Sequence, residues 1–254
     1  MRVSDLMNDK PMAIKKDDLV TKARSILRES PYEILPVVDE ERTLIGIVTL
    51  SDVLGITSTR SNIRVEGIMK DVTYTFSPDT EIQEAVKKFI KHGDIEAPVT
   101  SDGILVGIIS CRDILRGVVE SRKKPKIKYV SEVMKDLTFT CMPEDPVSKV
   151  WMKMCSEGHK TCPVIKKKKF IGYLSQKEIL SAGFARIERE SSRIKSSTKV
   201  EKLMRPKMIT TTPDSKIENV TKKILKLGVP CIFVEKYKRI IGILECNDLL
   251  KAYF

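Results

Sequence analysis

Four short segments place an oxygen-bearing side chain and a carboxylate three residues apart. Each lies where an apolar run gives way to a helical pattern. They are Thr49-Leu-Ser-Asp52, Ser110-Cys-Arg-Asp113, Ser175-Gln-Lys-Glu178 and Glu245-Cys-Asn-Asp248. A helix start offers free N–H groups and a partial positive charge, which suits the phosphate of a nucleotide. A carboxylate at that point can accept both hydroxyls of a ribose through charge-assisted hydrogen bonds. The same spacing is also the capping box, which merely satisfies the first N–H groups of a helix. Both readings stand, and one residue can serve both. The four copies are unequal. Glu178 is one methylene longer than the aspartates, and the last segment has Glu245 in place of the hydroxyl.

Other chemistry is sparse. No nucleophile is paired with a base, and no glycine loop cradles a phosphate. The six cysteines, Cys111, Cys141, Cys155, Cys162, Cys231 and Cys246, include no Cys-x-x-Cys pair. Most sit in apolar segments as small hydrophobes, which fits a reducing cytoplasm. Cys155, His159 and Cys162 are the one combination with a metal-like spacing, and no further ligand cluster accompanies them.

The elements that position these segments repeat. One signature reads Val3-Ser-Asp-Leu-Met-Asn-Asp9, Val65-Glu-Gly-Ile-Met-Lys-Asp71, Val130-Ser-Glu-Val-Met-Lys-Asp136 and Val200-Glu-Lys-Leu-Met-Arg-Pro206. A second reads Ile45-Gly-Ile-Val-Thr-Leu-Ser-Asp52, Val106-Gly-Ile-Ile-Ser-Cys-Arg-Asp113, Ile171-Gly-Tyr-Leu-Ser-Gln-Lys-Glu178 and Ile241-Gly-Ile-Leu-Glu-Cys-Asn-Asp248. The chain is thus four copies of a unit of about 60 residues. The repeats run over 1–60, 61–125, 126–196 and 197–254.

Each repeat reads as a short helical turn, an extended segment such as Val72–Phe76 or Met208–Thr212, an amphipathic helix, a β-hairpin and a second helix. The helical stripes are Ile82, Val86, Phe89 and Ile90 in repeat 2, and Val147, Val150, Trp151, Met154 and Cys155 in repeat 3. Ser77-Pro-Asp79 and Thr212-Pro-Asp214 look like helix starts. Leu35–Val38 and Leu44–Val48 form the arms of a hairpin. The order predicts an α/β fold. The linkers Thr57–Arg64, Glu120–Lys128 and Phe184–Lys199 are polar, and the last can extend the preceding helix through Arg186, Arg189 and Arg193.

At 254 residues, 41% hydrophobic and 31% charged, the chain has globular composition. A unit of about 60 residues buries only about 60% of its unfolded surface, so repeats are expected to pair. No apolar run approaches the ~20 residues that span a bilayer, and the start is too charged for a signal peptide. A net charge of +12 implies attraction to nucleotides, nucleic acid or an acidic partner. The basic stretches are the linker Arg122–Lys128 and the hairpin turn Lys166–Lys169. The turn is either solvated or a contact with an acidic partner. Few aromatics accompany these stretches, so no single-strand stacking platform is visible. Trp151 lies on a core stripe and reads as packing.

The succession of a Val-x-x-x-Met turn, a hydrophobic-Pro-Val strand and a Gly-containing strand feeding a Ser/Thr-x-x-Asp turn resembles the CBS domain, named after cystathionine β-synthase. The resemblance covers the chain four times over. It implies that repeats 1 and 2 pair into one module and 3 and 4 into another, each with its own core, in a pseudo-symmetric disc like the γ subunit of AMP-activated kinase. It further implies a cytoplasmic, non-catalytic sensor. Such a sensor binds AMP, ADP, ATP or S-adenosylmethionine in clefts between paired repeats, and regulates a protein partner or a second copy of itself.

Under that resemblance Asp52 and Asp113, with Thr49 and Ser110, hold ribose in the first module. Ser175 with Glu178, and Asp248, do so less reliably. Adenine is expected against Leu35-Pro36 and Ala97-Pro98. Repeat 4 departs from the pattern, with Ile232 where the others have Pro36, Pro98 and Pro163. The family often carries a cation two or three residues before that proline. Here those positions hold Glu33 and Ile34, Ile95 and Glu96, and Lys160 and Thr161, so only Lys160 is a cation. Acidic Glu33 and Glu96 disfavour a heavily charged phosphate. Arg112 and Lys177, beside the ribose carboxylates, can compensate, and a ligand with fewer negative charges, such as AMP or S-adenosylmethionine, stays open. The rival readings are a nucleic-acid binder using the basic linkers and a scaffold with empty clefts.

Overall fold

The structure, a computed structural model, describes residues 1–56, 62–183, 198–206 and 210–254. The helix extension expected through Arg186, Arg189 and Arg193, and the first two residues of the extended segment Met208–Thr212, lie outside the described residues.

The expected unit recurs four times. Repeat 1 contains β1 (Ile14–Lys15), α1 (Val20–Glu29), β2 (Ile34–Val38), β3 (Leu44–Thr49) and α2 (Leu50–Gly55). Repeat 2 contains α3 (Ile82–His92), β4 (Glu96–Ser101), β5 (Ile104–Ser110) and α4 (Cys111–Glu120). Repeat 3 contains β6 (Lys135–Asp136), α5 (Val147–Ser156), β7 (Thr161–Lys166), β8 (Lys169–Ser175) and α6 (Gln176–Ser181). Repeat 4 contains β9 (Arg205–Pro206), α7 (Ile217–Leu227), β10 (Cys231–Lys236), β11 (Arg239–Glu245) and α8 (Cys246–Tyr253). Each repeat also carries a one-turn 3-10 helix at its first signature, over Val3–Asp5, Val65–Gly67, Val130–Glu132 and Val200–Lys202.

The local causes are those the residue pattern supplies. α3 buries Ile82, Ala85, Val86 and Phe89 along one stripe and stops at Gly93, whose φ of 74° lets its N–H return to the Phe89 carbonyl. Each hairpin is antiparallel and carries a register shift in its first strand, at Val37/Val38, Val99/Thr100, Val164/Ile165 and Val234/Glu235. The extended segment expected at Val72–Phe76 is no strand. It contributes one bridge, Phe76 to Val99.

The two signatures meet between repeats, not within them. The residue after each signature Met pairs with the second signature of the neighbouring repeat. Asn8 pairs with Ile108 and Lys70 with Ile47. Lys135 pairs with Ile243 and Arg205 with Tyr173. Repeats 1 and 2 thus exchange strands, and so do 3 and 4. This contact explains the glycine of the second signature. A Cβ on Gly46 would lie 3.0 Å from the Lys70 carbonyl oxygen, and one on Gly242 would lie 2.7 Å from that of Lys135. One on Gly172 would lie 2.1 Å from that of Arg205, and one on Gly107 would meet Met7 Sδ at 2.6 Å.

The cores depart from expectation. Repeats 1 and 2 do not share one core. Repeat 1 packs its helices on repeat 3, joining Val20, Leu27 and Val53 to Val150, Met154 and Ile179. Repeat 2 packs on repeat 4, joining Phe89, Ile114 and Leu115 to Val220, Leu249 and Leu250. The reason is geometric. Strand exchange uses the sheets, so each repeat's helical stripes remain free to bury against the other module. Polar links follow the same route. The Ser51 hydroxyl donates to Gln176 Oε1 at 3.0 Å, and the Cys111 thiol to Asn247 Oδ1 at 3.0 Å. The four repeats therefore close a ring: 1 to 2 through strands, 2 to 4 through helices, 4 to 3 through strands, 3 to 1 through helices.

A fragment of residues 1–125 keeps the strand exchange but loses both helix partners. It is expected to associate into dimers in sedimentation equilibrium, burying those stripes against a second copy. A monomeric, cooperatively folding fragment would contradict this packing.

Candidate functional site

The four strand-to-helix turns are all formed as caps. At the start of α2, Asp52 N–H donates to Thr49 Oγ1 at 3.3 Å, and Thr49 N–H donates to Asp52 Oδ2 at 2.8 Å. At α4, Ser110 N–H donates to Asp113 Oδ2 at 2.9 Å, and Asp113 N–H donates to Ser110 Oγ at 3.3 Å. At α6, Glu178 N–H donates to Ser175 Oγ at 3.4 Å. At α8, Glu245 N–H donates to Asp248 Oδ2 at 3.0 Å.

The second oxygen of each carboxylate meets a cation. Asp52 Oδ1 pairs with Lys70 Nζ at 2.6 Å, and Asp113 Oδ1 with Arg116 Nη1 at 2.8 Å. Glu178 Oε1 pairs with Arg205 Nε at 3.2 Å, and Asp248 Oδ1 with Lys135 Nζ at 3.3 Å. Lys70, Lys135 and Arg205 were not singled out as site residues. Their signal was the position after the signature Met, cationic in three repeats of four.

All four repeats contribute to a cavity of about 320 Å³, within the range of small-molecule sites. Tyr32 and Glu33 come from repeat 1, and Glu96, Asp113 and Arg116 from repeat 2. Lys160 comes from repeat 3 and Lys251 from repeat 4. A neighbouring cavity of about 300 Å³ touches Thr49, Ser51, Glu96, Lys160 and Gln176.

The charged residues before the strand prolines converge between the two cavities. Lys160 Nζ donates to Glu33 Oε2 at 2.8 Å. Glu96 Oε2 accepts the N–H of Glu33 at 2.7 Å and that of Ile34 at 3.1 Å. Burial, then the charge of Glu33, pushes the Glu96 carboxyl up to about 8. Burial opposes the charge on Lys160, but Glu33 and Glu96 outweigh it and hold its pKa above the usual lysine value. The acids that looked hostile to phosphate are thus partners of Lys160.

Other expected site residues lie elsewhere. Lys177 donates to the carbonyls of Leu27 at 3.1 Å and of Ser30, at the C-terminal end of α1. That end is where a helix favours a cation. Burial lowers its pKa. Arg112 reaches the Val229 carbonyl at 3.4 Å while still lining the large cavity. Leu35 and Ala97 are buried in the two apolar clusters, and Pro36 and Pro98 are also buried. None of the four lines either cavity. The walls come from residues just before them, Tyr32 with Glu33 and Ile95 with Glu96. Tyr32 was missed, although it is an aromatic two residues before β2.

Among the described residues no group of His, Cys, Asp and Glu is arranged to hold a metal. His159 sits 3.1 Å from Glu157 Oε2. No helix among them is long and apolar enough to cross a membrane.

Comparison with known proteins follows the same fourfold pattern. A family model described as the CBS domain matches residues 3–58, 65–120, 130–184 and 200–254. Protein MJ1225 of Methanocaldococcus jannaschii, uncharacterised, is 21% identical over 271 residues, covering 97% of this chain and 96% of that one. Its crystal structure, proposed as that of an archaeal homologue of γ-AMPK, superposes at a TM-score of 0.88 with 19% identity over the whole of both chains. A second uncharacterised protein of that organism, MJ0188, is 31% identical over 143 residues, 55% of this chain and 52% of its own length. The A-adding tRNA nucleotidyltransferase of Aquifex aeolicus is 31% identical over 124 residues, 49% of this chain and 15% of the enzyme. For these last two, the match spans about half of the relative or less.

Proposed function

The chain belongs to the CBS-domain family, carrying the domain four times, and on that premise we propose a non-catalytic regulatory sensor that binds an adenosine-containing ligand. The carrying observation is the cavity of about 320 Å³ at the meeting of the repeats, with the Asp113 carboxylate on its wall and the half-buried Tyr32 ring beside it. A ribose would trade its hydroxyls for the Arg116 contact on Asp113 Oδ1. An aromatic face such as Tyr32 suits adenine, since base stacking on an aromatic is worth about 1–3 kcal/mol.

The cavity wall carries Arg112, Arg116, Lys135, Lys160 and Lys251 against Glu33, Glu96, Asp113 and Glu245. With Glu96 holding its proton near neutral pH, five cations face three charged acids, a modest excess that suits AMP or S-adenosylmethionine better than ADP or ATP. The likeness to a proposed γ-AMPK homologue supports the same reading. Such a sensor would act, in the cytoplasm, through a protein partner or a second copy of itself. The nucleic-acid reading is weakened by internal pairing of its basic stretches: Lys166 with Glu144 at 2.9 Å and Lys124 with Glu218 at 3.2 Å.

Titration of wild type and Asp113→Ala with AMP and ATP by calorimetry tests this. Each charge-assisted bond to ribose is worth on the order of 1.5–3 kcal/mol, so the variant should bind roughly tenfold to a few hundredfold more weakly. Losing the cap should lower fold stability by only about 1 kcal/mol. Unchanged affinity with a lowered melting temperature would leave Asp113 a helix cap and nothing more.

A further inference from the structure

The four clefts share one plan but are not equally open. We propose that three are locked by a cation from the paired repeat, leaving the cleft above Asp113 as the single adenosine site; this rests on the reading that Asp113 binds ribose. The lock is the residue after the signature Met. Its backbone is clamped to the neighbouring strand by two hydrogen bonds. Lys70 exchanges N–H and carbonyl with Ile47, both at 2.9 Å. Lys135 and Arg205 sit in the same register against Ile243 and Tyr173. From there Lys70 and Arg205 reach the oxygen that the cap leaves free on Asp52 and Glu178, and Lys135, bonded to Glu245 at 2.8 Å, stands 3.3 Å from that of Asp248.

Repeat 2 faces Asn8 instead. Asn8 is clamped identically, exchanging N–H and carbonyl with Ile108 at 2.9 and 3.0 Å. Its side chain is neutral and accepts the Lys10 N–H at 3.0 Å. Asp113 is left with Arg116, one turn along its own helix. That guanidinium is carried by α4 itself and not by the exchanged strand, and it lines the cavity, so it can turn toward a bound ligand with no change in the strand exchange.

A second observation agrees independently. Asp113 lines the large cavity, whereas Asp52, Glu178 and Asp248 line neither that cavity nor its neighbour. In repeat 1 the cleft is also capped from within, because Glu96 takes the N–H groups of Glu33 and Ile34 at the start of β2.

The test is calorimetry of the full chain with adenosine and with AMP. Adenosine matters because it carries no phosphate for a new cation to attract. Wild type should bind one molecule per chain. Asn8→Lys should weaken adenosine by about tenfold or more, the cost of displacing one charge-assisted contact. Asn8→Gln, neutral but larger, should stay within about threefold of wild type on the same scale. Two or more equivalent sites in wild type would overturn the lock, and that count needs no variant to fold. So would unchanged adenosine affinity in folded Asn8→Lys, or an equal loss in Asn8→Gln. Those results leave the sensor reading standing. Absence of heat with both ligands in wild type would remove the sensor reading and the lock together.

Discussion

Gly172→Ala is expected to destabilise the fold by more than about 3 kcal/mol and to detach β9 from β8. The added Cβ would sit 2.1 Å from the carbonyl oxygen of Arg205 and 3.2 Å from its carbonyl carbon. These are backbone atoms, so no side chain can swing aside. β9 must withdraw, and its pairing of Tyr173 with Arg205 and Gly172 with Pro206 is lost. With the strand goes Arg205, the cation on Glu178. For a chain of this size the loss lowers the melting temperature by roughly 10 °C. Gly55→Ala is the control. It lies at the end of α2 with nothing within 4 Å of the new Cβ, and should be neutral or slightly stabilising. Equal melting temperatures for the two variants would show that strand exchange does not require the glycine.

The second large effect is on pH dependence. Glu96 titrates near 8 in the folded chain against an ordinary value of 4.5. Between those values the folded state holds a proton that the unfolded chain has released. The contribution of Glu96 to stability is therefore complete below pH 4.5 and is lost as pH rises toward 8. The full swing is on the order of 5 kcal/mol. Glu96→Gln keeps an oxygen to accept the Glu33 and Ile34 N–H groups but cannot ionise. Urea unfolding at pH 5, 6, 7 and 8 should show wild type losing stability relative to Glu96→Gln at each step. Parallel curves would mean that Glu96 is ionised in the folded chain at neutral pH.

Much of the unit was legible because its causes are local. The stripe Ile82, Val86 and Phe89 specifies α3, and Thr49-x-x-Asp52 and Ser110-x-x-Asp113 form the capping boxes their spacing describes. Partner choice was not legible. Four repeats with the same stripe satisfy any pairing equally, so nothing in Leu27 or Phe89 says that the first faces repeat 3 and the second repeat 4. The meeting of the two signatures was hidden for a related reason. Gly46 and Lys70 belong to different repeats, and reading each repeat alone separates them. Lys177 is a cation beside a site carboxylate in sequence, yet the ring brings the end of α1 close enough to claim it. Val72–Phe76 has strand-forming residues but makes only the Phe76 bridge.

The route by which the ring closes also sets a timetable. The hydrogen bond from Ser51 to Gln176 spans 125 residues, and that from Cys111 to Asn247 spans 136. Synthesis proceeds at about 5–20 residues per second. The helical stripes of repeats 1 and 2 therefore wait roughly 6 to 27 s on the ribosome before their partners emerge. During that interval Val20, Leu27, Phe89 and Ile114 have no cover from the chain's own later half. The same apolar faces that close the ring are the ones a nascent chain must shield from its neighbours, either by binding a holdase or by pausing in a partly collapsed state.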